Sequence, residues 1–164
     1  MHRRNELQDL RKLLKLLLEN EIDFVLIGGF AAVVHGSTLV TQDLDICSSM
    51  SVQNIQKLRT VLKDFNPVHR MNRKANLSFL NHPKNLEGLN NIYLDTDFGI
   101  LDILSATEPA GDFKTIKQNS IQINIYGHTC NVISIDDLIK VKSSMKRPKD
   151  LQAVEELIKI KNLS

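Results

Sequence analysis

Two aspartates, Asp43 and Asp45, lie on either side of a leucine, and an isoleucine follows them. The alternation of polar and apolar residues predicts a strand over 42–47, in which the two carboxylates share one face about 6.5–7 Å apart at Cα. Two like charges on one face repel each other unless a cation lies between them. Mg²⁺ and Mn²⁺ prefer oxygen ligands, so the pair is a candidate metal site. A solvent-exposed edge strand would also carry such aspartates.

A pair of glycines, Gly28 and Gly29, ends an apolar run and precedes a short apolar segment that Gly36 would terminate. Glycine lets the backbone approach a ligand closely, and the start of a helix offers free N–H groups to a phosphate. A tight turn is the simpler interpretation of the pair alone. Because the pair lies shortly before the two aspartates, a triphosphate carrying a divalent ion would satisfy both features.

A third carboxylate, Asp102, is flanked on each side by two apolar residues. A buried carboxylate is unfavourable unless it is paired or bound to a metal. If its strand lies beside 42–47, three carboxylates converge, as a two-metal site for phosphoryl or nucleotidyl transfer requires. The alternative is a single aspartate that faces water from a half-exposed strand.

The elements that must position these residues follow from hydrophobic periodicity and from capping and turn residues. Helices are predicted at 5–20, 30–35, 52–65 (capped by Ser51), 135–145 (capped by Ser134) and 148–161. Strands are predicted at 23–29, at 42–47, at 77–80 within a loop, and in hairpins at 91–104 and 121–133. The apolar stripe of the last helix is predicted to be Leu151, Val154, Leu157 and Ile158.

This order of elements predicts an α+β fold in which helices flank a small mixed β-sheet and a C-terminal helical pair follows. The 164 residues are expected to form a single domain, with a core of about 1–133 and C-terminal helices over about 134–164.

The composition is that of a soluble globular protein, with 42% hydrophobic and 24% charged residues. The longest apolar run, 24–34, is too short to span a membrane, which takes roughly 20 residues. A net charge of +2 does not indicate nucleic-acid binding, although a nucleic-acid partner stays possible. The two cysteines, Cys47 and Cys130, cannot form a disulfide framework, which favours a reducing, cytoplasmic location.

The glycine pair, the Asp-x-Asp strand and the later apolar-flanked aspartate together resemble the nucleotidyltransferase superfamily typified by DNA polymerase β. The segments 31–36, 96–102 and 137–150, together with Thr41, resemble a subgroup of small stand-alone bacterial-type nucleotidyltransferases. The chain departs from that subgroup at 37–40, which lacks an arginine that the subgroup often carries there.

The resemblance implies that Asp43 and Asp45 hold Mg²⁺ (or Mn²⁺) and that Asp102 completes a second metal site and assists deprotonation of an acceptor hydroxyl. The implied reaction is attack on the α-phosphate of an NTP, with transfer of the NMP group and release of pyrophosphate.

The resemblance also implies that Gly28 and Gly29 cradle the phosphates, and it makes Lys142 and Arg147 candidates for phosphate contact. An exposed helix face is the alternative for Lys142, and a simple ion pair with Asp150 is the alternative for Arg147.

The acceptor stays open: a small molecule such as an antibiotic, or a tRNA or protein as in toxin–antitoxin systems. A non-catalytic nucleotide-binding or regulatory module and a glycosyltransferase that uses Asp-x-Asp are the alternative functions. A second Asp-x-Asp, Asp95 and Asp97, is predicted to lie at a solvated hairpin turn. The basic segment 69–74 is predicted to be a solvated loop.

Overall fold

A seven-stranded mixed sheet with helices packed against it organises the protein, whose computed structural model describes residues 6–163. The helices are α1 (Glu6–Glu19), α2 (Gly28–His35), α3 (Val52–Leu62), α4 (Phe113–Asn119), α5 (Ile135–Met145) and α6 (Pro148–Leu163). The strands are β1 (Phe24–Ile27), β2 (Asp43–Ser48), β3 (Val68–His69), β4 (Asn91–Thr96), β5 (Gly99–Leu104), β6 (Ala106–Thr107), β7 (Gly111–Asp112), β8 (Ile121–Ile125) and β9 (His128–Val132).

The strand order of the large sheet is β3-β4-β5-β2-β1-β9-β8. Strand β2 lies at its centre, antiparallel to β1 and parallel to β5, and β1 is parallel to β9. The hairpins β4–β5 and β8–β9 and the edge strand β3, which is antiparallel to β4, complete it. Strands β6 and β7 form a separate two-stranded pair. The predicted α+β class, mixed sheet and C-terminal helical pair are confirmed.

The core lies between the sheet and its helices. The leucines of α1 at 10, 13, 14 and 17 are fully buried, and α1 packs against β2, β5 and β9. In β2, Leu44 and Ile46 are fully buried while Asp43 and Asp45 are only partly so. The predicted alternation of this strand is therefore confirmed, and the two aspartates share the face opposite the core.

Both predicted serine caps are present. The Ser51 hydroxyl accepts a hydrogen bond from the Asn54 N–H at 3.2 Å, and the Ser134 hydroxyl accepts one from the Asp137 N–H at 3.1 Å. These bonds satisfy donors that the first turn of a helix leaves free. Gly36 ends α2 in the left-handed region with φ at 116°, as predicted.

The boundary between β1 and α2 differs from the prediction. The strand ends at Ile27, and the glycine pair forms the first turn of α2 instead of the end of the strand. Gly28 has a φ of +69°, which a glycine adopts without strain, so the chain turns into the helix two residues earlier than the apolar pattern indicates.

The strand predicted at 77–80 was wrong. Only one isolated bridge, between Val68 and Ser78, pairs this segment, and the Phe79 N–H donates to the Pro67 carbonyl at 2.9 Å. The His69 N–H donates to the Leu77 carbonyl at 2.9 Å, and Phe79 is fully buried, so two backbone hydrogen bonds and one large side chain anchor the segment without a longer ladder.

Residues 106–119 contain β6, β7 and α4, which the sequence did not predict. Helix α4 has seven residues and one buried side chain, Ile116, so its sequence shows no helical repeat of apolar residues. Its start is fixed locally by Asp112, whose carboxylate accepts a hydrogen bond from the Thr115 N–H at 3.0 Å.

The predicted stripe of the last helix was partly wrong. Leu157 is buried, but Leu151 and Ile158 are 50% and 42% exposed, and the buried face includes Asp150 and Ala153. Because Asp150 is buried in an ion pair, the buried face of α6 differs from the face that the positions of the apolar residues predict. Within residues 6–163, no helix has the length and apolar character needed to span a membrane.

Candidate active site

Three carboxylates converge where β2 and β5 lie side by side. Asp45 and Asp102 are direct partners in the parallel register of the two strands. Asp43, Asp45 and Asp102 each offer a carboxylate oxygen, and these oxygens lie within 4.8 Å of one another. Leu101 and Ile103 are fully buried, which directs Asp102 to the opposite face. The adjacency predicted for Asp102 is therefore observed, and we call these three residues the carboxylate cluster.

The carboxylate cluster is short of positive charge. Burial, reinforced by Asp102 and Asp43, raises the pKa of Asp45 to about 7. Burial also raises the pKa of Asp102, although an arginine beside it acts in the opposite direction. Hard oxygen donors at this spacing, with uncompensated negative charge, fit a divalent cation such as Mg²⁺ or Mn²⁺.

The arginine beside the cluster is Arg70, which the sequence does not distinguish from the other residues of the basic segment 69–74. Its Nη2 donates to both oxygens of Asp102, at 2.5 and 2.6 Å, and its side chain is 21% exposed. The prediction of a solvated basic loop over 69–74 was therefore wrong for Arg70. It holds for Arg73, which is 63% exposed and pairs with Asp95. The sequence gives no reason to distinguish two arginines three residues apart. They have different partners only because β3 lies beside β4, which brings Arg70 to Asp102 and Arg73 to Asp95.

The glycine pair brings the start of α2 against the carboxylate cluster. A Cβ on Gly28 would overlap the carboxylate oxygen Oδ2 of Asp45, and one on Gly29 would lie 2.7 Å from the Thr41 hydroxyl oxygen. Real Cβ atoms essentially never make contacts under 3.0 Å, so a side chain on either residue would displace its neighbour. The two glycines therefore let the backbone at the start of α2 approach Asp45 and Thr41 closely.

Lys142 and Arg147 lie near one buried carboxylate, Asp150, which is 1% exposed. The Arg147 guanidinium donates to both Asp150 oxygens, at 2.5 and 3.2 Å, and the Lys142 ammonium lies 4.0 Å away. The Lys142 side chain is only 15% exposed, so it does not lie on an exposed helix face. Burial lowers the pKa of Lys142, while Asp150 and Asp45 act to raise it.

Two cavities meet at the carboxylate cluster. The glycine-side cavity, about 450 Å³, lies between Gly28 and Gly29, the loop 39–42 and the start of α6. The strand-side cavity, about 430 Å³, extends toward Tyr93 and Thr107. Both are lined by Gly28, Asp45, Asp102, Lys142, Met145 and Arg147. Asp43 lines the glycine-side cavity.

The loop that walls the glycine-side cavity is tied to α6. The Glu156 carboxylate accepts hydrogen bonds from the backbone N–H of Thr38 at 2.6 Å and from its hydroxyl at 2.9 Å. The segment 37–40 contributes Ser37, Leu39 and Val40 to the cavity wall. The positive charge of this cavity therefore comes from Lys142, Arg147 and Lys149, at the junction of α5 and α6.

Comparison with known proteins gives structural neighbours. Neither a protein-family model nor a curated protein sequence matches the chain. The lincosamide antibiotic adenylyltransferase LnuA, solved with lincomycin bound, aligns with a TM-score of 0.62 and 19% identity over 93% of this chain and 96% of its own.

Two further solved structures are similar. An antigenic nucleotidyltransferase-like protein from Paracoccidioides brasiliensis aligns with a TM-score of 0.60 and 17% identity, over 98% of this chain and 77% of its own. A Thermotoga maritima protein assigned as a nucleotidyltransferase aligns with a TM-score of 0.52 and 15% identity, over 100% and 97% of the two chains. The chain therefore has the nucleotidyltransferase fold.

Replacing Asp45 by asparagine is expected to stabilise the metal-free protein at alkaline pH. The pKa of Asp45 is about 7 in the folded protein and near 3.8 in the unfolded chain, so the folded protein binds more protons between these values. Stability is therefore lost as the pH rises through that window. At pH 8 with a chelator, Asp45→Asn should unfold at a temperature higher by roughly 5–15 °C, equivalent to about 2–4 kcal/mol.

The expected gain should shrink toward zero as the pH falls to the pKa of the unfolded chain, near 3.8, because below that pH the Asp45 carboxyl is mostly neutral in both states. Asp95→Asn is the matched control, because the hydrogen bond from Arg73 lowers the pKa of Asp95. That variant should gain nothing. Thermal unfolding from pH 4 to pH 8 is the measurement, and an Asp45→Asn variant no more stable than the parent at pH 8 would contradict the charge balance described here.

Proposed function

We propose that the protein is a metal-dependent nucleotidyltransferase that moves an NMP group from an NTP to the hydroxyl of a small molecule and releases pyrophosphate. The observation that carries the proposal is the carboxylate cluster at the junction of two cavities. A reaction between two substrates needs each to reach the same charged centre from its own side. A non-catalytic nucleotide-binding module has no need of a second cavity at that centre.

In this proposal Asp43 and Asp45 hold Mg²⁺ or Mn²⁺, and Asp102 supplies a further carboxylate. The ion would supply charge neutralisation for the triphosphate and for the negative charge that develops during transfer. The fit rests on three oxygen donors within 4.8 Å and on Asp45, whose charged form is made unfavourable by burial and by the two neighbouring carboxylates and would be favoured by a cation.

The NTP is assigned to the glycine-side cavity. The start of α2 lies there, and Gly28 and Gly29 leave room for phosphate oxygens to approach the backbone. Lys142 and Arg147 line the same cavity and supply positive charge for the phosphates. Asp150 orients both cations, so their place beside the cavity does not depend on the nucleotide.

The acceptor is assigned to the strand-side cavity. The part of its lining that the glycine-side cavity does not share is apolar at Ile27, Leu104, Leu138 and Val141, and Tyr93 and Thr107 add hydroxyl groups there. A cavity of about 430 Å³ with this lining suits a small molecule with an apolar body better than a charged polynucleotide. LnuA, whose structure holds lincomycin, is consistent with an acceptor of this kind.

The chemistry assigned to the site is an in-line displacement. A bond forms between the acceptor oxygen and the α-phosphorus, and the bond from that phosphorus to the bridging oxygen of the β-phosphate breaks. The electron pair leaves with pyrophosphate. Asp45 and Asp102 both line the two cavities, and because Asp45 is assigned with Asp43 to the ion, Asp102 is the carboxylate assigned to accept the hydroxyl proton.

The proposal is tested by offering each α-labelled NTP with Mg²⁺ to three classes of acceptor. These are a panel of hydroxylated small molecules that includes lincomycin, total tRNA, and a protein extract. We expect label to appear in a small molecule with the parent and to be strongly reduced with Asp102→Asn. Label found only in RNA or protein would overturn the assigned acceptor class, and no transfer to any acceptor would favour the non-catalytic module.

A further inference from the structure

Arg70 occupies an unusual position on Asp102. One nitrogen, Nη2, lies 2.5 Å from one carboxylate oxygen and 2.6 Å from the other. In the usual fork arrangement, two guanidinium nitrogens each face one oxygen, as Nε and Nη2 of Arg73 do on Asp95 at 2.9 and 3.0 Å. A single nitrogen nearly equidistant from both oxygens takes the position that a chelated cation would occupy.

The backbone and one aromatic ring hold Arg70 in this position. Its N–H donates to the Tyr93 carbonyl at 2.9 Å, which ties the residue after β3 to β4. Tyr93 is in turn the register partner of Asp102 on β5. The guanidinium crosses β4 over the Tyr93 ring, 5.5 Å from its centroid, and reaches the carboxylate on the next strand.

The contact leaves a donor of Arg70 unused. Among the described residues, the Nε atom of Arg70 is buried and has no hydrogen-bond partner. A buried unsatisfied donor is unfavourable by roughly 1–3 kcal/mol, so the side chain is not in its best hydrogen-bonding arrangement. Its position is explained by the attraction of the negative charge, to which Asp43 and Asp95 add. A stronger cation at Asp102 would therefore remove the main reason for this placement.

We propose that Arg70 is an internal counter-cation that occupies the chelating position of Asp102 and competes there with a divalent ion. This inference rests on the proposed function only in that the carboxylate cluster holds a divalent ion. It adds that the free protein presents the ion with Asp43 and Asp45 while Asp102 is engaged. Asp102 becomes available when Arg70 moves aside, so Arg70 sets the affinity of the site for metal in the absence of nucleotide.

The test is Mn²⁺ binding to the nucleotide-free protein, followed by the paramagnetic resonance signal of the free ion. Arg70→Gln is expected to bind Mn²⁺ about tenfold or more tightly than the parent. Arg70→Lys keeps the charge without the planar guanidinium and should fall between the two. Arg73→Gln is the matched control, because it removes an equal charge from an arginine that pairs with Asp95, and it should leave the affinity within about twofold of the parent.

A second comparison separates competition at Asp102 from a long-range effect of charge. In an Asp102→Asn background, Arg70→Gln should bring little further gain, because the contested carboxylate is absent. An equal gain in both backgrounds, or no gain in the parent background, would overturn the inference.

The remaining outcomes are also decisive. If Arg70→Gln does not fold without metal, Arg70→Lys carries the test, and a lysine variant that binds Mn²⁺ no more tightly than the parent overturns the inference. Failure of the proposed function has a different signature, since the parent and its Asp43→Asn/Asp45→Asn variant would then bind Mn²⁺ equally weakly.

Discussion

Replacing both Asp43 and Asp45 by asparagine should weaken metal-dependent NTP binding by more than 100-fold. The two side chains share one face of β2 and line the glycine-side cavity, where we assign the nucleotide and its ion. Loss of groups that merely support metal ligands lowers metal affinity by roughly 10–100-fold, so loss of two direct ligands should exceed that range. Calorimetric titration with each NTP, with Mg²⁺ and with a chelator, measures the effect.

The chain supplies its own control for this double substitution. Asp95 and Asp97 form a second Asp-x-Asp with the same chemistry and spacing, and neither lines the two cavities. Asp95→Asn/Asp97→Asn should bind NTP as the parent does. Equal Mg²⁺-dependent NTP binding by the parent and by Asp43→Asn/Asp45→Asn would contradict the proposal that these two aspartates hold the metal ion.

Replacing Asp102 by asparagine should lower kcat by at least about 100-fold and change NTP affinity much less. In the proposed assignment the acceptor oxygen meets the nucleotide where the two cavities join, and Asp102 lines both of them. An interaction that strengthens only as the hydroxyl loses its proton lowers kcat when removed and leaves ground-state binding nearly intact. The magnitude is that of one preorganised electrostatic group. Asparagine is preferred to alanine because its carbonyl can still accept a hydrogen bond from Arg70.

Asp95→Asn is the matched control here, since Asp95 is also paired by an arginine but lies on β4 away from the cavities. Its kcat should stay close to that of the parent. Steady-state rates and NTP affinity are measured together for the parent and both variants. An Asp102→Asn variant that keeps parental turnover while losing NTP affinity would make Asp102 a binding group and contradict the role assigned to it.

The sequence predicts the parts of the site that strand geometry determines. Alternation alone places Asp43 and Asp45 on one face of β2, and the apolar flanks of Asp102 direct it away from the core. The pairing of β2 with β5 needed more, because a parallel contact between strands more than fifty residues apart leaves no local signal. Resemblance to a known superfamily supplied that contact as an expectation.

Other features depend on tertiary contacts that no local pattern contains. Arg70 and Arg73 lie in one basic segment, yet Arg70 is partly buried against Asp102 and Arg73 is exposed beside Asp95. The buried face of α6 was predicted only in part, because Asp150, a charged residue, is buried among partners from α5 and from the turn before α6. In both cases an ion pair allows the burial of a charged side chain that hydropathy predicts to be exposed.

The central claim is that the carboxylate cluster transfers an NMP group from an NTP to an acceptor, and its most direct test is the stoichiometry of that reaction. An α-labelled NTP, Mg²⁺ and the small-molecule panel are incubated with the parent, and pyrophosphate and labelled product are measured in the same sample. We predict that the two appear in equal amounts with the parent, and that both are lost with a chelator and with Asp43→Asn/Asp45→Asn. Pyrophosphate and product formed equally well by the parent and by Asp43→Asn/Asp45→Asn, or absent with every NTP and acceptor, would contradict the account.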